Sequence, residues 1–537
     1  MFKVLISDAL ASEGVQLLKA SGRVQVITPA GKTPTDLLPH LAECDAWIVR
    51  SATKVTRDLI AAASKLRVIA RAGVGVDNVD VEAATQRGIV VMNSPDSNAI
   101  TTAELAVSYI LALARNMVRA DRGVREGRWA QKDLIGTEIT GKTLGVLGAG
   151  NIGRRVIQRA LGLEMKVLVY DPYVAREAFR GTDVEVVSLD QLIAHSDFIT
   201  IHVPLNDKTR NLIDARAIAA MRPGVRLINC ARGGIIDEAA LFAGLQSGHV
   251  GGAGLDVFER EPPPADHPLL GHPNVILTPH LGASTEEAQR KVSQAICEQV
   301  LEFLTEDTAR NAVNLPAVSR EALAQVAPYM ELAERLGAFV AQFVAWPITA
   351  VDGIYRGSIR KLAFGPVSRS FLKGLLAPVM DRPINLVNAP LIARERGIAF
   401  SERTAPSLRD FRTLLSYRLM TRDGPVGVAG TLFGRRLLRI VRIDEYRVEV
   451  IPEGVLLVIE NEDRPGVLGR IGTLLGQHGV NISNLHLAAR GADLALCVLN
   501  VDQKPPAPVL EQMRQVPEIR RVVAIELPPP RRFSTRG

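Results

Sequence analysis

Cysteine is scarce in this sequence: Cys44, Cys230, Cys297 and Cys497 are the only four in 537 residues, and none lie in a CxxC pair. That spacing excludes a disulfide framework and a paired-cysteine zinc site, and implies reduced thiols. Nowhere do 18 apolar residues run uninterrupted, so no membrane-spanning helix is expected. Met1-Phe-Lys-Val-Leu-Ile-Ser-Asp8 begins as a strand and not as a leader, so a cytoplasmic protein is expected. Blocks of like charge are also missing. The formal net charge is +7, and residues 315–450 hold an excess of about eight Lys and Arg, dispersed among apolar residues and without a nucleic-acid motif. A solvated basic face accounts for this, with an anion-binding surface as the alternative. What is present is apolar content of 47%, ample for the several cores that a chain of this length needs.

One segment carries chemistry at once. Thr143-Leu-Gly-Val-Leu runs into Gly148-Ala-Gly150-Asn-Ile-Gly153, a helical pattern follows over Arg154–Leu163, and a second strand ends on Asp171. Strand, three glycines, helix, strand and acid in this order predict a dinucleotide clamp. Gly148 permits the tight turn, Gly150 lets backbone approach a pyrophosphate, and Gly153 lets the helix pack against the strand. The free N–H groups at the helix start face the phosphates. Asp171 would accept from the adenosine ribose and repel a 2′-phosphate, which favours NAD over NADP.

Apolar runs predict strands near Lys3–Ser7, Val24–Thr28, Ala46–Arg50, Val68–Ala72 and Val90–Asn93, a small parallel α/β unit. A long helix is expected over Thr101–Ala120. A second strand series follows at Thr143–Gly148, Val167–Asp171, Phe198–Val203, Arg226–Cys230, Gly254–Phe258 and Val275–Thr278, enough for a complete Rossmann sheet. Helical sequence after Thr285 would return the chain to the first unit, making the cofactor domain an insertion and leaving a cleft between the two. Ligands of open parallel sheets bind at strand C-termini, and Arg232, Glu261 and His280 each follow such an end. Oxidation of a hydroxy acid needs a base, a cation for the carboxylate and a hydride acceptor. His280, Arg232 and NAD would supply them, with Glu261 favouring the imidazolium. Taken singly, a capping histidine, a loop carboxylate and a surface arginine explain these residues equally well. Arg50, ending a strand beside Ser51, is the leading cation for a substrate carboxylate or phosphate.

The wording around these residues is specific. Val49-Arg-Ser-Ala-Thr-Lys-Val-Thr56, Arg71-Ala-Gly-Val-Gly-Val-Asp-Asn-Val-Asp80, Asn229-Cys-Ala-Arg-Gly-Gly, Gly254-Leu-Asp-Val-Phe-Glu-Arg-Glu-Pro-Pro and Thr278-Pro-His-Leu-Gly-Ala-Ser-Thr resemble the D-isomer-specific 2-hydroxyacid dehydrogenases, and among them the long form of the phosphoglycerate dehydrogenases. The resemblance covers nearly the whole chain. It implies Arg232 and Glu261 as the active-site pair, His280 as proton donor, and NAD contacts from Asn151, Ile152, Asp171, Val203, Cys230, Ala231, Arg232, Asp256, His280 and Gly282, with Asp256 near the nicotinamide carboxamide. It implies 3-phosphoglycerate as substrate, met by Arg50, Ser51, Gly73, Val74 and Lys132. This chain departs from the family after Trp129, reading Ala-Gln131-Lys132 where another basic residue is usual. Glyoxylate or hydroxypyruvate reductases share the same core, and an NAD-binding sensor is the alternative of another class.

Leu456-Leu-Val-Ile-Glu-Asn461-Glu-Asp463-Arg-Pro-Gly466, Gly479-Val-Asn481-Ile and Ala495-Leu-Cys-Val-Leu resemble an ACT domain, a βαββαβ unit. The resemblance implies edge-to-edge pairing between chains, hence a homo-oligomer, a tetramer, with L-serine as effector held by Asn461, Asp463 and Asn481. The segment between, with strand-like Arg439-Ile-Val-Arg-Ile443 and Arg447-Val-Glu-Val-Ile451, resembles the family's extra α+β domain, suited to an anionic effector. The expected architecture is therefore a flavodoxin-like substrate domain (1–98 and 285–314) with an inserted Rossmann NAD-binding domain (99–284), an intervening domain (315–452), an ACT domain (453–527) and a disordered Pro-rich tail (528–537).

Overall fold

The computed structural model describes residues 1–528 except 32, 96, 130, 363, 408, 409, 435, 491 and 492, with backbone alone at 131 and 320. From residue 529 onward the tail expected to be disordered lies outside the described residues. Strands β1 (Phe2–Ile6), β2 (Val24–Ile27), β3 (Ala46–Val49), β4 (Val68–Arg71) and β5 (Val90–Met92) form a parallel sheet in the order β2-β1-β3-β4-β5. This is a flavodoxin-like order. β3 is buried at every position, as continuous apolar strands of two-faced parallel sheets are.

Helix α1 (Ala99–Ala114) leads into the second unit, and α2 (Met117–Arg125) follows it. A single helix over 101–120 was the expectation. It breaks because Asn116 takes the left-handed conformation (φ 53°) and because the Thr137 amide claims the Ala114 carbonyl at 2.8 Å.

The second parallel sheet comprises β6 (Thr143–Leu147), β7 (Lys166–Tyr170), β8 (Val184–Val186), β9 (Phe198–Ile201), β10 (Val225–Asn229), β11 (Val250–Leu255) and β12 (Val275–Leu277), ordered β12-β11-β10-β9-β6-β7-β8. Its strand order reverses between β6 and β9, the doubly wound switch point. Two details differ from expectation. The short edge strand β8 was not foreseen, and β11 occupies 250–255 instead of 254–258. Close packing requires glycine in Val250-Gly-Gly-Ala-Gly-Leu255: a Cβ on Gly254 would lie 2.6 Å from the Tyr109 ring. Helix α3 (Asn151–Gly162) follows β6, and α4 (Glu286–Glu306) returns the chain to the first sheet, burying Val292, Ile296 and Val300 against Val4, Ile48 and Val68.

Beyond lie α5 (Arg320–Phe343) and a sheet of β13 (Ile348–Gly357), β14 (Ala399–Ala405), β15 (Thr413–Thr421), β16 (Gly424–Phe433), β17 (Leu437–Ile443) and β18 (Tyr446–Val450), ordered β14-β13-β15-β16-β17-β18. Only its β13–β14 pair is parallel. The last unit is β19 (Val455–Glu462), α6 (Val467–Gln477), β20 (Ile482–Arg490), β21 (Leu494–Val501), α7 (Ala507–Arg514) and β22 (Ile519–Glu526), an antiparallel βαββαβ sheet ordered β20-β21-β19-β22. Its helices cover one face. The other shares a core with the preceding unit, where Leu456, Val458, Leu496, Val498 and Ile525 join Leu336, Phe339 and Tyr417. Among the described residues, no helix is long and apolar enough to cross a membrane.

Candidate active site

Between the two parallel sheets runs a cleft of about 590 Å³. Its walls bring together Arg50, Ser51, Gly73 and Val74 from the first unit with Ile152, Val203, Cys230, Ala231, Arg232, Glu261, His280 and Gly282 from the second. Arg232, Glu261 and His280 follow β10, β11 and β12, three neighbouring strands, so their C-terminal ends aim the side chains at one place.

His280 Nδ1 lies 2.8 Å from Glu261 Oε2, and Glu261 Oε1 accepts from the Phe258 amide at 3.2 Å. Partial burial pushes the Glu261 carboxyl up, but the His280 hydrogen bond, its charge, the Phe258 amide and Arg232 outweigh it, leaving the group below its usual 4.5. His280 itself has φ 55°, a left-handed backbone that L residues seldom adopt. Arg232 donates to Asp77 Oδ2 at 2.9 Å across the cleft and to the Ala231 carbonyl at 2.7 Å. Asp256, expected beside the nicotinamide, is 1% exposed and uses both carboxylate oxygens on the loop that carries His280, accepting from the Leu281 amide at 2.6 Å and the Gly282 amide at 2.8 Å.

The glycine turn offers room for a dinucleotide. Gly148 has φ 94°, and a Cβ there would meet the His202 carbonyl oxygen at 2.7 Å. A Cβ on Gly153 would fall 2.0 Å from the Gly148 carbonyl oxygen, whereas one on Gly150 would meet nothing within 4 Å. Open space over Gly150, at the N-terminus of α3, is where a pyrophosphate fits. Asn151 opens that helix. Asp171, after β7, accepts from the Ala149 amide at 2.9 Å and the Tyr173 amide at 2.9 Å, so it also pins the turn. The Cys230 thiol is pushed up by burial and by Asp256.

Three cleft residues escaped the sequence reading: Arg71, Asn98 and His202. Each carries a buried polar atom without a partner among the described residues, Arg71 Nε, Asn98 Oδ1 and His202 Nδ1. Such orphans are rare unless a ligand completes them. Burial and the nearby Arg232 push Arg71 down to about 10, and burial pushes His202 down to about 3, keeping its imidazole neutral. The signal was there. Arg71 ends β4 as Arg50 follows β3, and His202 follows β9. Lys132, in contrast, stands outside the cleft wall, in the short 3-10 turn Gln131–Leu134, after the 78% exposed Trp129.

Near the C-terminus, Asn461 is 3% exposed with Oδ1 unpartnered among the described residues, and Asp463 follows on the surface. Asn481 does not join them within one chain. Asn461 pairs with Ala495 at one end of β21, while Ile482, next to Asn481, pairs with Val501 at the other, roughly 20 Å along the strand.

Comparison with known proteins gives three family matches in succession: the D-isomer specific 2-hydroxyacid dehydrogenase NAD binding domain over residues 107–282, the D-3-phosphoglycerate dehydrogenase intervening domain over 325–444, and the ACT domain over 455–518. D-3-phosphoglycerate dehydrogenase of Methanocaldococcus jannaschii is 42% identical over 530 residues, covering 98% of this chain and 100% of the relative. That of Archaeoglobus fulgidus is 40% identical over 98% of this chain and 100% of its own. Among solved structures, D-lactate dehydrogenase from Aquifex aeolicus, complexed with NAD and lactic acid, superposes with a TM-score of 0.53 at 28% identity, over 58% of this chain and 100% of that one. A likeness that runs the full length, with the expected domains in their order, decides the matter: the chain belongs to the D-3-phosphoglycerate dehydrogenases, NAD-dependent oxidoreductases within the D-isomer-specific 2-hydroxyacid dehydrogenases.

Proposed function

We propose that the chain oxidises 3-phospho-D-glycerate to 3-phosphooxypyruvate in the first step of L-serine biosynthesis, and that the observation carrying this reading is the His280–Glu261 pair facing Arg232, Arg50 and Arg71 across one cleft. Glu261 engages His280 Nδ1, which leaves Nε2 to take the substrate hydroxyl proton and fixes the tautomer that can do so. Arg232 takes the substrate carboxylate, which replaces Asp77 as its partner. Arg50 and Arg71, with the backbone of Gly73 and Val74, meet the phosphate, and that second charge separates this substrate from glyoxylate. Gly150, Ile152 and Asp171 would hold NAD, which would supply the hydride acceptor. The division of labour follows the boundaries 1–98 with 285–314, 99–284, 315–452 and 453–527, in a cytoplasmic enzyme.

L-Serine is the proposed feedback effector, shared between two chains. Antiparallel pairing of β20 with its copy would bring the second chain's Asn481 to the end where Asn461 and Asp463 stand. Leu485 (44% exposed) and Leu487 (40%) on that edge strand are left uncovered by α6 and α7 and suit such a partner. The test is NADH formation from 3-phosphoglycerate and NAD at alkaline pH, with His280→Ala as control and L-serine in parallel. A serine-sensitive signal lost in the variant supports the reading. Silence with 3-phosphoglycerate together with turnover of glyoxylate or hydroxypyruvate by NADH overturns the phosphate assignment.

A further inference from the structure

The loop 278–282 holds its proton carrier in an unfavourable backbone conformation, so something outside the loop must fix it. Helix α1 does so at two points. Thr102 Oγ1 donates to the Gly282 carbonyl at 2.7 Å, and seven residues on, on the same helix face, the Tyr109 hydroxyl lies 2.5 Å from Thr278 Oγ1. Thr278 donates to Asp256 Oδ1, whose remaining capacity takes the Leu281 and Gly282 amides, while the Asp256 carbonyl accepts the His280 amide at 2.9 Å. The proton order follows from the acceptors. With the single Thr278 proton on Asp256, the Tyr109 hydroxyl is the donor of its pair, shared between Thr278 Oγ1 and the Leu255 carbonyl at 3.2 Å. The Tyr109 ring reaches this position because Gly254 beneath it has no side chain.

We propose that Tyr109 and Thr278 are positioning residues for the reaction: acting through Asp256, they set the turn that presents His280 to Glu261 and the substrate. Neither lines the cleft between the two parallel sheets. Tyr109 is 2% exposed and Thr278 half-buried in the seam between α1 and the strand ends, where an apolar pair of the same shape would pack as well as a hydrogen-bonded one. The proposal rests on His280 being the proton carrier, and its test keeps the two apart.

The experiment compares Thr278→Val, Thr278→Ser, Tyr109→Phe and His280→Ala in NADH formation from 3-phosphoglycerate and NAD, recording kcat, both KM values and thermal unfolding. Loss of a hydrogen bond to a charged group predicts a fall in kcat of about 10- to 100-fold for Thr278→Val, with the KM for NAD within about twofold of wild type. Thr278→Ser, which keeps the hydroxyl, should return kcat to within about threefold, and Tyr109→Phe should lower it about 3- to 10-fold without lowering the melting temperature in proportion. Wild-type kcat in Thr278→Val, or a serine variant no better than the valine one, overturns the proposal. Should Thr278→Val not fold, Tyr109→Phe decides: reduced kcat supports the relay and unchanged kcat overturns it. Activity retained in His280→Ala would sink the reading of the site itself, whereas an inactive His280→Ala beside fully active relay variants sinks only the relay.

Discussion

Replacing Gly150 and Gly153 by alanine, one at a time, separates two duties that a glycine-rich turn combines. At Gly153 the new methyl would lie 2.0 Å from the Gly148 carbonyl oxygen, a backbone atom that cannot rotate away. Helix and strand must part by more than an ångström, and overpacking of this kind costs about 1–3 kcal/mol or more. At Gly150 the backbone angles (φ −73°, ψ −160°) are open to any residue and the methyl meets nothing. The fold should be unaffected or gain a few tenths of a kcal/mol from a stiffer unfolded chain, about 0.4–1 kcal/mol at most. The methyl would instead occupy the space above the helix N-terminus where the pyrophosphate approaches the amides. Loss of charge-assisted hydrogen bonds there should weaken NAD binding by about 1.5–3 kcal/mol, or roughly 10- to 150-fold in Kd. Calorimetric titration with NAD and thermal unfolding of both variants make the comparison. A Gly150→Ala protein that binds NAD as tightly as wild type refutes the path drawn for the cofactor, and a Gly153→Ala protein that melts like wild type refutes the packing argument.

Three further outcomes are expected. Because Glu261 is held below its usual 4.5 in the folded state, it contributes stability above that pH and loses it as acidity carries the pH through the lowered value; the gap in melting temperature between wild type and Glu261→Gln should therefore be present at pH 7 and close below about pH 4.5, and a gap that widens on acidification would contradict the sign. Asp171→Ala should reduce the preference for NAD over NADP by about 10-fold in kcat/KM while also loosening the turn, since the Ala149 and Tyr173 amides lose their acceptor; an unchanged cofactor ratio would leave Asp171 with the turn alone. Arg335, its side chain 3% exposed, bonds Glu331 Oε1 at 2.9 Å and the Pro452 carbonyl where the intervening unit meets the last sheet, so Arg335→Ala removes both bonds and should cost about 1–3 kcal/mol in unfolding, against which a change under 0.5 kcal/mol would count.

The parts of the fold that sequence exposes are those with a single strong period or a fixed order. Apolar stretches such as Ala46–Val49 and the start of Val68–Arg71 announce themselves because burial on both faces leaves no polar residue to blur them, and the run from Thr143 to Asp171 does so by its order of strand, glycines, helix, strand and acid. Local composition misleads where tertiary contacts decide. Three glycines in β11 look like a loop until Tyr109 and Leu113 are seen against them, and the break at Asn116 depends on a loop amide twenty-one residues later. The site divides the same way. Arg232, Glu261 and His280 stand out through their strand-end positions, which Arg71 and His202 share, but what sets Arg71, Asn98 and His202 apart is an atom left without a partner among the described residues, a property no string of letters displays. Asn461 and Asn481 look like neighbours in purpose, yet the register of β21 holds them at opposite ends of the sheet.

The face that the last sheet shares with the preceding unit bears on how such a chain can be rebuilt. Leu456, Val458, Leu496, Val498 and Ile525 would be laid bare by cutting after residue 452, and the cut would expose Leu336 and Phe339 on the other side. A truncated protein would accordingly present two sticky halves, and grafting a foreign sensor onto residue 452 would require recarving that seam along with the joint. Any message arriving at the terminal sheet is delivered through packed side chains and not along a tether, so it can be tuned by altering the size of a leucine far from both ligand and chemistry.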